Sequence, residues 1–225
     1  MLFCNFPSPT SELPSLLRPT DLKTFFHEFG HALHDMPGRT ELVSTAGTNT
    51  KYDFVEMPSQ ILEEWLDDPK ILRMCSSHFQ TGEKLSLDII ENIIKSNNRL
   101  QSHALMNQLL FTYFSLEFHL NPREDLKDIW DRLTQQYRIE IEPMNDDYRY
   151  LSFGHLREYG ARYYGYLWSQ AFALDVFERI KKEGLLNPEI GRIYIRDIIG
   201  RGGSLDPNRY LHDFLGREAY SGCLY

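Results

Sequence analysis

Apolar residues recur at the three-to-four-residue spacing of amphipathic helices along almost the whole chain, while period-two strand patterns are scarce. Helices of this kind can bury their apolar stripes only against one another, so the pattern restricts the chain to a mainly α, multi-helix fold with few or no strands. Helix-stop signals divide it. Thr20 or Asp21 can cap a helix that runs through FFHEFGHALHDM and stops before Pro37-Gly38. Residues 41–52, rich in Thr, Ser, Gly and Asn, read as a loop or short hairpin. A second helix is predicted from near Asp53 to Asp67, with Pro58 in its first turn, where the missing N–H costs nothing. Further helices are predicted over 69–79, 86–98, 100–119 and 124–139, a loop over 142–154, one long helix over 159–182, and shorter ones over 188–199 and 206–215.

At 225 residues and 42% hydrophobic content, the chain can fill the core of one domain spanning 1–225. Prolines at 7, 9, 14 and 19 make residues 1–20 an extended lead-in, with no basic leader or unbroken apolar run of the secretory kind. A net charge of −8 provides neither a basic patch for nucleic acid nor a polybasic segment for an anionic membrane. The apolar stretch from Ala104 to Leu120 is interrupted by Asn107, Gln108, Glu117 and His119, so it reads as a buried helix rather than a membrane span. Cys4, Cys75 and Cys223 are too few and too scattered for a disulfide framework or a thiolate metal site, which points to a reducing compartment.

HEFGH places His27 and His31 one helical turn apart, so both imidazoles project from one face and can reach a single Zn²⁺. Glu28 lies beside them, where a carboxylate can take a proton from water activated by the metal. Two buried, hydrogen-bonded core histidines would have the same spacing. A third ligand from the HExxHxxGxxH pattern is excluded, because positions 34 and 37 are His and Pro. His34 lies two turns from His27, about 10 Å along the axis, too far to share one tetrahedral ion with both other histidines. A carboxylate from the following helix remains, and Glu56 opens that helix. Glu63, two turns further on the same face, can bond to a ligating histidine from outside the ligand set. Tyr159, Tyr163 and Tyr166 share one face if their segment is a single helix, with His155 just before it, as either core aromatics or hydroxyl donors to a developing oxyanion.

HEFGHALH, with FVEMPSQ placing Glu56 25 residues after His31 (56 − 31), resembles the thimet oligopeptidase, saccharolysin and mitochondrial intermediate peptidase family of zinc metallopeptidases, peptidase family M3. CNFPSPT, LLRPTDLKTFFHEFGH, FGHLREYGARYYGYLWS and RGGS…FLGRE extend the resemblance, in order, over essentially the whole chain. The resemblance implies one Zn²⁺ held by His27, His31 and Glu56, Glu28 as general base and acid, and Glu63 as a support for the ligands. It implies His155, Tyr159 and Tyr166 as groups that stabilise the tetrahedral intermediate, and Tyr163 as a substrate-binding residue. Leu156-Arg157-Glu158 replaces the longer glycine-containing loop of several oligopeptidases and is similar to mitochondrial intermediate peptidase, whereas YYGYLWS is similar to the cytosolic members.

The implied function is a metalloendopeptidase acting on short peptides, in the cytoplasm or alternatively the mitochondrion. Members of the family are about three times longer, so this chain corresponds to their C-terminal catalytic portion, without the N-terminal channel wall. A non-catalytic zinc-binding fragment or helical partner module is the alternative expectation.

Overall fold

The computed structural model describes residues 2–138 and 148–219. All regular structure among them is helical: α1 (Pro19–Asp35), α2 (Met57–Glu63), α3 (Pro69–Cys75), α4 (Leu87–Leu120), α5 (Leu126–Tyr137), α6 (His155–Glu158), α7 (Gly165–Glu183), α8 (Pro188–Asp197) and α9 (Pro207–Leu215), with short 3₁₀ turns between. The mainly α expectation holds, with no strand among the described residues. Two compact units are present, residues 1–94 with 168–225 and residues 95–167.

In the first unit, Phe54, Met57 and Ile61 pack with Val176 and Ile180 of α7, Ile190 and Tyr194 of α8, and Tyr210 and Phe214 of α9. A smaller cluster of Leu66, Leu72 and Ile90 receives Leu22 and Phe26 from the inner side of α1. Leu22 and Phe26 thus anchor the HEFGH helix, and Met57 and Ile61 the FVEMPSQ helix, by their apolar side chains. In the second unit, Leu110 and Phe114 of α4 pack with Ile129, Trp130 and Leu133 of α5 and with Tyr150.

The boundaries differ from expectation where a single residue decides them. α1 begins at Pro19 after Arg18, two residues before Asp21, whose carboxylate accepts the Arg18 backbone N–H at 2.8 Å and its guanidinium at 3.1 Å. Asp21 therefore reaches back from the first turn rather than occupying the cap. α2 begins at Met57, later than Asp53, because Pro58 belongs to the first turn and residues 52–56 form turns before it. The helices predicted over 86–98 and 100–119 are one 34-residue helix, since no Gly or Pro interrupts residues 87–120. Its 104–120 part is buried on one face only: Leu110 and Phe114 are inside, while Tyr113, Leu116 and Leu120 are exposed. No described helix is long and apolar enough to cross a membrane.

The helix predicted over 159–182 is broken. Gly160 takes φ +58°, a left-handed conformation that side-chain-bearing residues rarely adopt, so α6 stops after one turn and α7 starts only at Gly165. Of the loop predicted over 142–154, residues 142–147 lie outside the described residues, as does Cys223.

Candidate metal and catalytic site

Lys23, His27 and His31 succeed one another at four-residue intervals along α1, forming one row on the helix surface. Across from them stand Glu56, immediately before α2, and Glu63, its last residue. Gly30 makes this close apposition possible: a Cβ there would come within 2.3 Å of the Pro58 carbonyl oxygen and 2.4 Å of Ser59 Cα. The glycine of HEFGH is thus the contact point at which α2 meets α1, a role for which only the absence of a side chain fits.

His27 Nε2 lies 3.3 Å and His31 Nε2 3.1 Å from Glu56 Oε2. The two imidazole rings stand nearly perpendicular, at 82°, with centroids 5.0 Å apart. Glu56 is buried, and Ser59 Oγ lies 2.8 Å from its backbone carbonyl oxygen and 3.1 Å from the same Oε2, so its one proton is shared between two acceptors. His27 Nδ1 bonds to Glu63 Oε1 at 2.5 Å. If Nδ1 carries the proton, Nε2 of the neutral ring presents a lone pair toward a carboxylate oxygen, an arrangement that calls for a cation between them. Burial opposes charge on His27, but the hydrogen bonds to Glu56 and Glu63 outweigh it and raise its pKa to about 9.

The donor set also fits a metal. The three ligand atoms of His27, His31 and Glu56 lie within 4.8 Å of one another. Two atoms each about 2.1 Å from one tetrahedral ion stand about 3.4 Å apart, close to the nitrogen-to-oxygen separations found here. Two imidazoles and one carboxylate leave a fourth position open, the composition of catalytic rather than structural zinc sites.

Glu28 is half-buried on α1, one residue from His27. Burial and then the Glu28 charge raise the Cys4 thiol above its ordinary pKa. His34 does not join the ligands. It is fully buried, edge-on to Phe54 with centroids 6.3 Å apart, and neither ring nitrogen has a hydrogen-bond partner among the described residues.

The second unit holds its own cluster. Tyr159 and Tyr163 lie outside any long helix and Tyr166 is in the first turn of α7, yet the break at Gly160 still gathers the rings. The ring of Tyr166 is 5.6 Å from that of His155, 5.1 Å from Tyr159 and 5.0 Å from Tyr163. The Tyr166 hydroxyl and His155 Nε2 are 3.3 Å apart. Tyr163 is buried against Phe111 and Phe153, while His155, Tyr159 and Tyr166 are only half-buried. Contacts that sequence reasoning did not assign are those of Lys23, Gly30 and Ser59. In the sequence they are only a lysine four residues before the first histidine, a glycine inside HEFGH and a serine three residues after Glu56.

Residues 1–223 match Peptidase family M3. The chain belongs to Peptidase family M3. It is similar to saccharolysin of Saccharomyces cerevisiae, with 37% identity over 225 residues covering 96% of this chain and 31% of that protein. Oligopeptidase A of Salmonella typhimurium is 33% identical over 223 residues, covering 96% of this chain and 33% of that protein. Mitochondrial intermediate peptidase of Phaeosphaeria nodorum is 33% identical over 213 residues, covering 91% and 27%. This M3 chain therefore spans about a third of the length of the curated relatives it matches. Among solved structures, PZ peptidase A with inhibitor 2 shares its fold, with a TM-score of 0.63 and 19% identity over 91% of this chain and 35% of that one. M3 proteins are zinc metallopeptidases as a class, and the His27–His31–Glu56 group is where this chain offers a zinc-type donor set.

Proposed function

We propose that the chain is a zinc metalloendopeptidase site for short peptides, with His27, His31 and Glu56 as metal ligands. The observation that carries the reading is the convergence of those three ligand atoms within 4.8 Å on the HEFGH helix of an M3 chain. Zinc bound there would supply Lewis acidity at the open position, polarising the scissile carbonyl and acidifying water. Glu28 takes the proton of the attacking water and returns it to the leaving amine. Glu63 holds His27 by Nδ1, keeping Nε2 directed at Glu56. Tyr166 and Tyr159 donate hydrogen bonds to the carbonyl oxygen as it gains charge, His155 orients the Tyr166 hydroxyl and shares that work, and Tyr163 contacts the peptide. Relatives named oligopeptidase A and mitochondrial intermediate peptidase both match, and the reading is peptide turnover in the cytoplasm or, alternatively, the mitochondrion.

The test is zinc content together with cleavage of an internally quenched peptide of about eight residues. One zinc per chain and cleavage abolished by 1,10-phenanthroline are expected. Stoichiometric zinc without chelator-sensitive cleavage would leave a metal-binding module and defeat the peptidase reading.

A further inference from the structure

Glu63 is held from two sides. Oε1 bonds His27 Nδ1 at 2.5 Å, and Oε2 forms an ion pair with Lys23 Nζ at 3.0 Å. Lys23 belongs to the same row of α1 as the histidines, one turn before His27, so the helix that presents the candidate ligands also supplies a clamp for the carboxylate behind them. Glu63 closes α2 and is mostly covered, with a side-chain exposure of 16%, whereas Lys23 is 59% exposed and reaches in from the surface. A carboxylate bonded by one oxygen only can rotate about its terminal torsion, which is broad and roughly two-fold. A second bond to the other oxygen removes that freedom and fixes the line along which Oε1 meets the imidazole.

We propose that Lys23 is a positioning residue for the metal centre: by pinning Glu63 Oε2 it fixes Oε1 on His27 Nδ1 and so keeps His27 Nε2 aimed at the point shared with His31 and Glu56. The inference rests on the metal reading above and adds a residue that touches neither metal nor substrate. With its lysine largely in solvent, the pair contributes little to folding, so its effect belongs in the readout of metal affinity rather than stability. The setting supports the charge on Lys23: burial opposes it, but Glu63, Glu64 and Asp67 together outweigh burial and hold its pKa above the ordinary value.

The test is zinc affinity of the full chain by competition with a fluorescent chelator, for wild type, Lys23→Met, Lys23→Arg, Glu63→Gln and the Lys23→Met/Glu63→Gln double variant. Partners that orient a metal-binding histidine change affinity by roughly 10–100-fold, so Glu63→Gln is expected in that range and Lys23→Met, one bond further out, at about 3–10-fold. Lys23→Arg should restore wild-type affinity to within about twofold. Lys23→Met should add nothing once Glu63 is already Gln, because its whole effect passes through that carboxylate. Wild-type zinc affinity in Lys23→Met, or an equal loss with and without Glu63, overturns the assignment while leaving the metal site intact. A wild-type chain that binds no zinc removes the metal site and this inference with it.

Discussion

At the residue scale the site depends on what each side chain is prevented from doing. Ser59 Oγ and the two histidine Nε2 atoms surround Glu56 Oε2 within 3.3 Å, and Glu63 on Nδ1 of His27 turns Nε2 inward. Tyr159→Phe and Tyr166→Phe each remove one candidate donor to the oxyanion while leaving the ligands alone. Steady-state kinetics should show turnover reduced by about 10²–10³-fold with zinc content unchanged, and wild-type turnover in both variants would remove the tyrosines from the mechanism. His34 makes a different prediction. Its burial holds the ring neutral, lowering its pKa from 6.5 to about 4. The unfolded chain takes up this proton as pH falls below 6.5 and the folded chain only near 4, so the contribution is complete above 6.5 and is lost between those values. The cost is about 1.4 kcal/mol per pH unit, or about 3 kcal/mol in all. Denaturant unfolding of metal-free wild type and His34→Leu at pH 7 and pH 4 should show the difference shifting by that amount in favour of the variant on acidification. A constant difference would mean that His34 is not held neutral in the core.

At the element scale the central event is the contact of α1 with α2. Gly30→Ala places a methyl against the Pro58 carbonyl, where backbone rather than a flexible side chain must yield. Calorimetry should show a loss of about 1–3 kcal/mol, and zinc affinity should fall as well because Glu56 moves with Pro58. A normal melting temperature with normal zinc affinity would contradict this contact. Much of this arrangement was legible in the sequence. The four-residue spacing of His27 and His31 and the Pro37-Gly38 stop define α1, and the seven-residue spacing of Glu56 and Glu63 puts one carboxylate just before α2 and the other at its end. Local patterns could not give what depends on partners. Periodicity ran through Gly160 as though 159–182 were one helix, because apolar spacing does not register a left-handed φ. The same blindness hid Gly30, whose role exists only once Pro58 is brought against it, and Lys23, which looks like any solvated helix charge until Glu63 stands opposite.

At the scale of the whole molecule, the chain is an M3 protein spanning about a third of its curated relatives, and its candidate metal residues come from one compact unit while the His155–Tyr166 cluster comes from the other. Metal bound at the proposed site of α1 and α2 would be linked to folding. At free zinc of about 100 times Kd the loaded chain should gain about 2.7 kcal/mol over chelator-stripped protein, visible as a higher melting temperature in differential scanning fluorimetry; identical melting with and without zinc would contradict a folded-state site. The most direct test of the account as a whole is the rate of octapeptide cleavage by Glu28→Gln beside wild type, both carrying the same measured zinc. The geometry predicts retained metal and a rate about 10²–10⁴-fold lower, because the amide cannot accept the water's proton. Wild-type cleavage by zinc-loaded Glu28→Gln would contradict it.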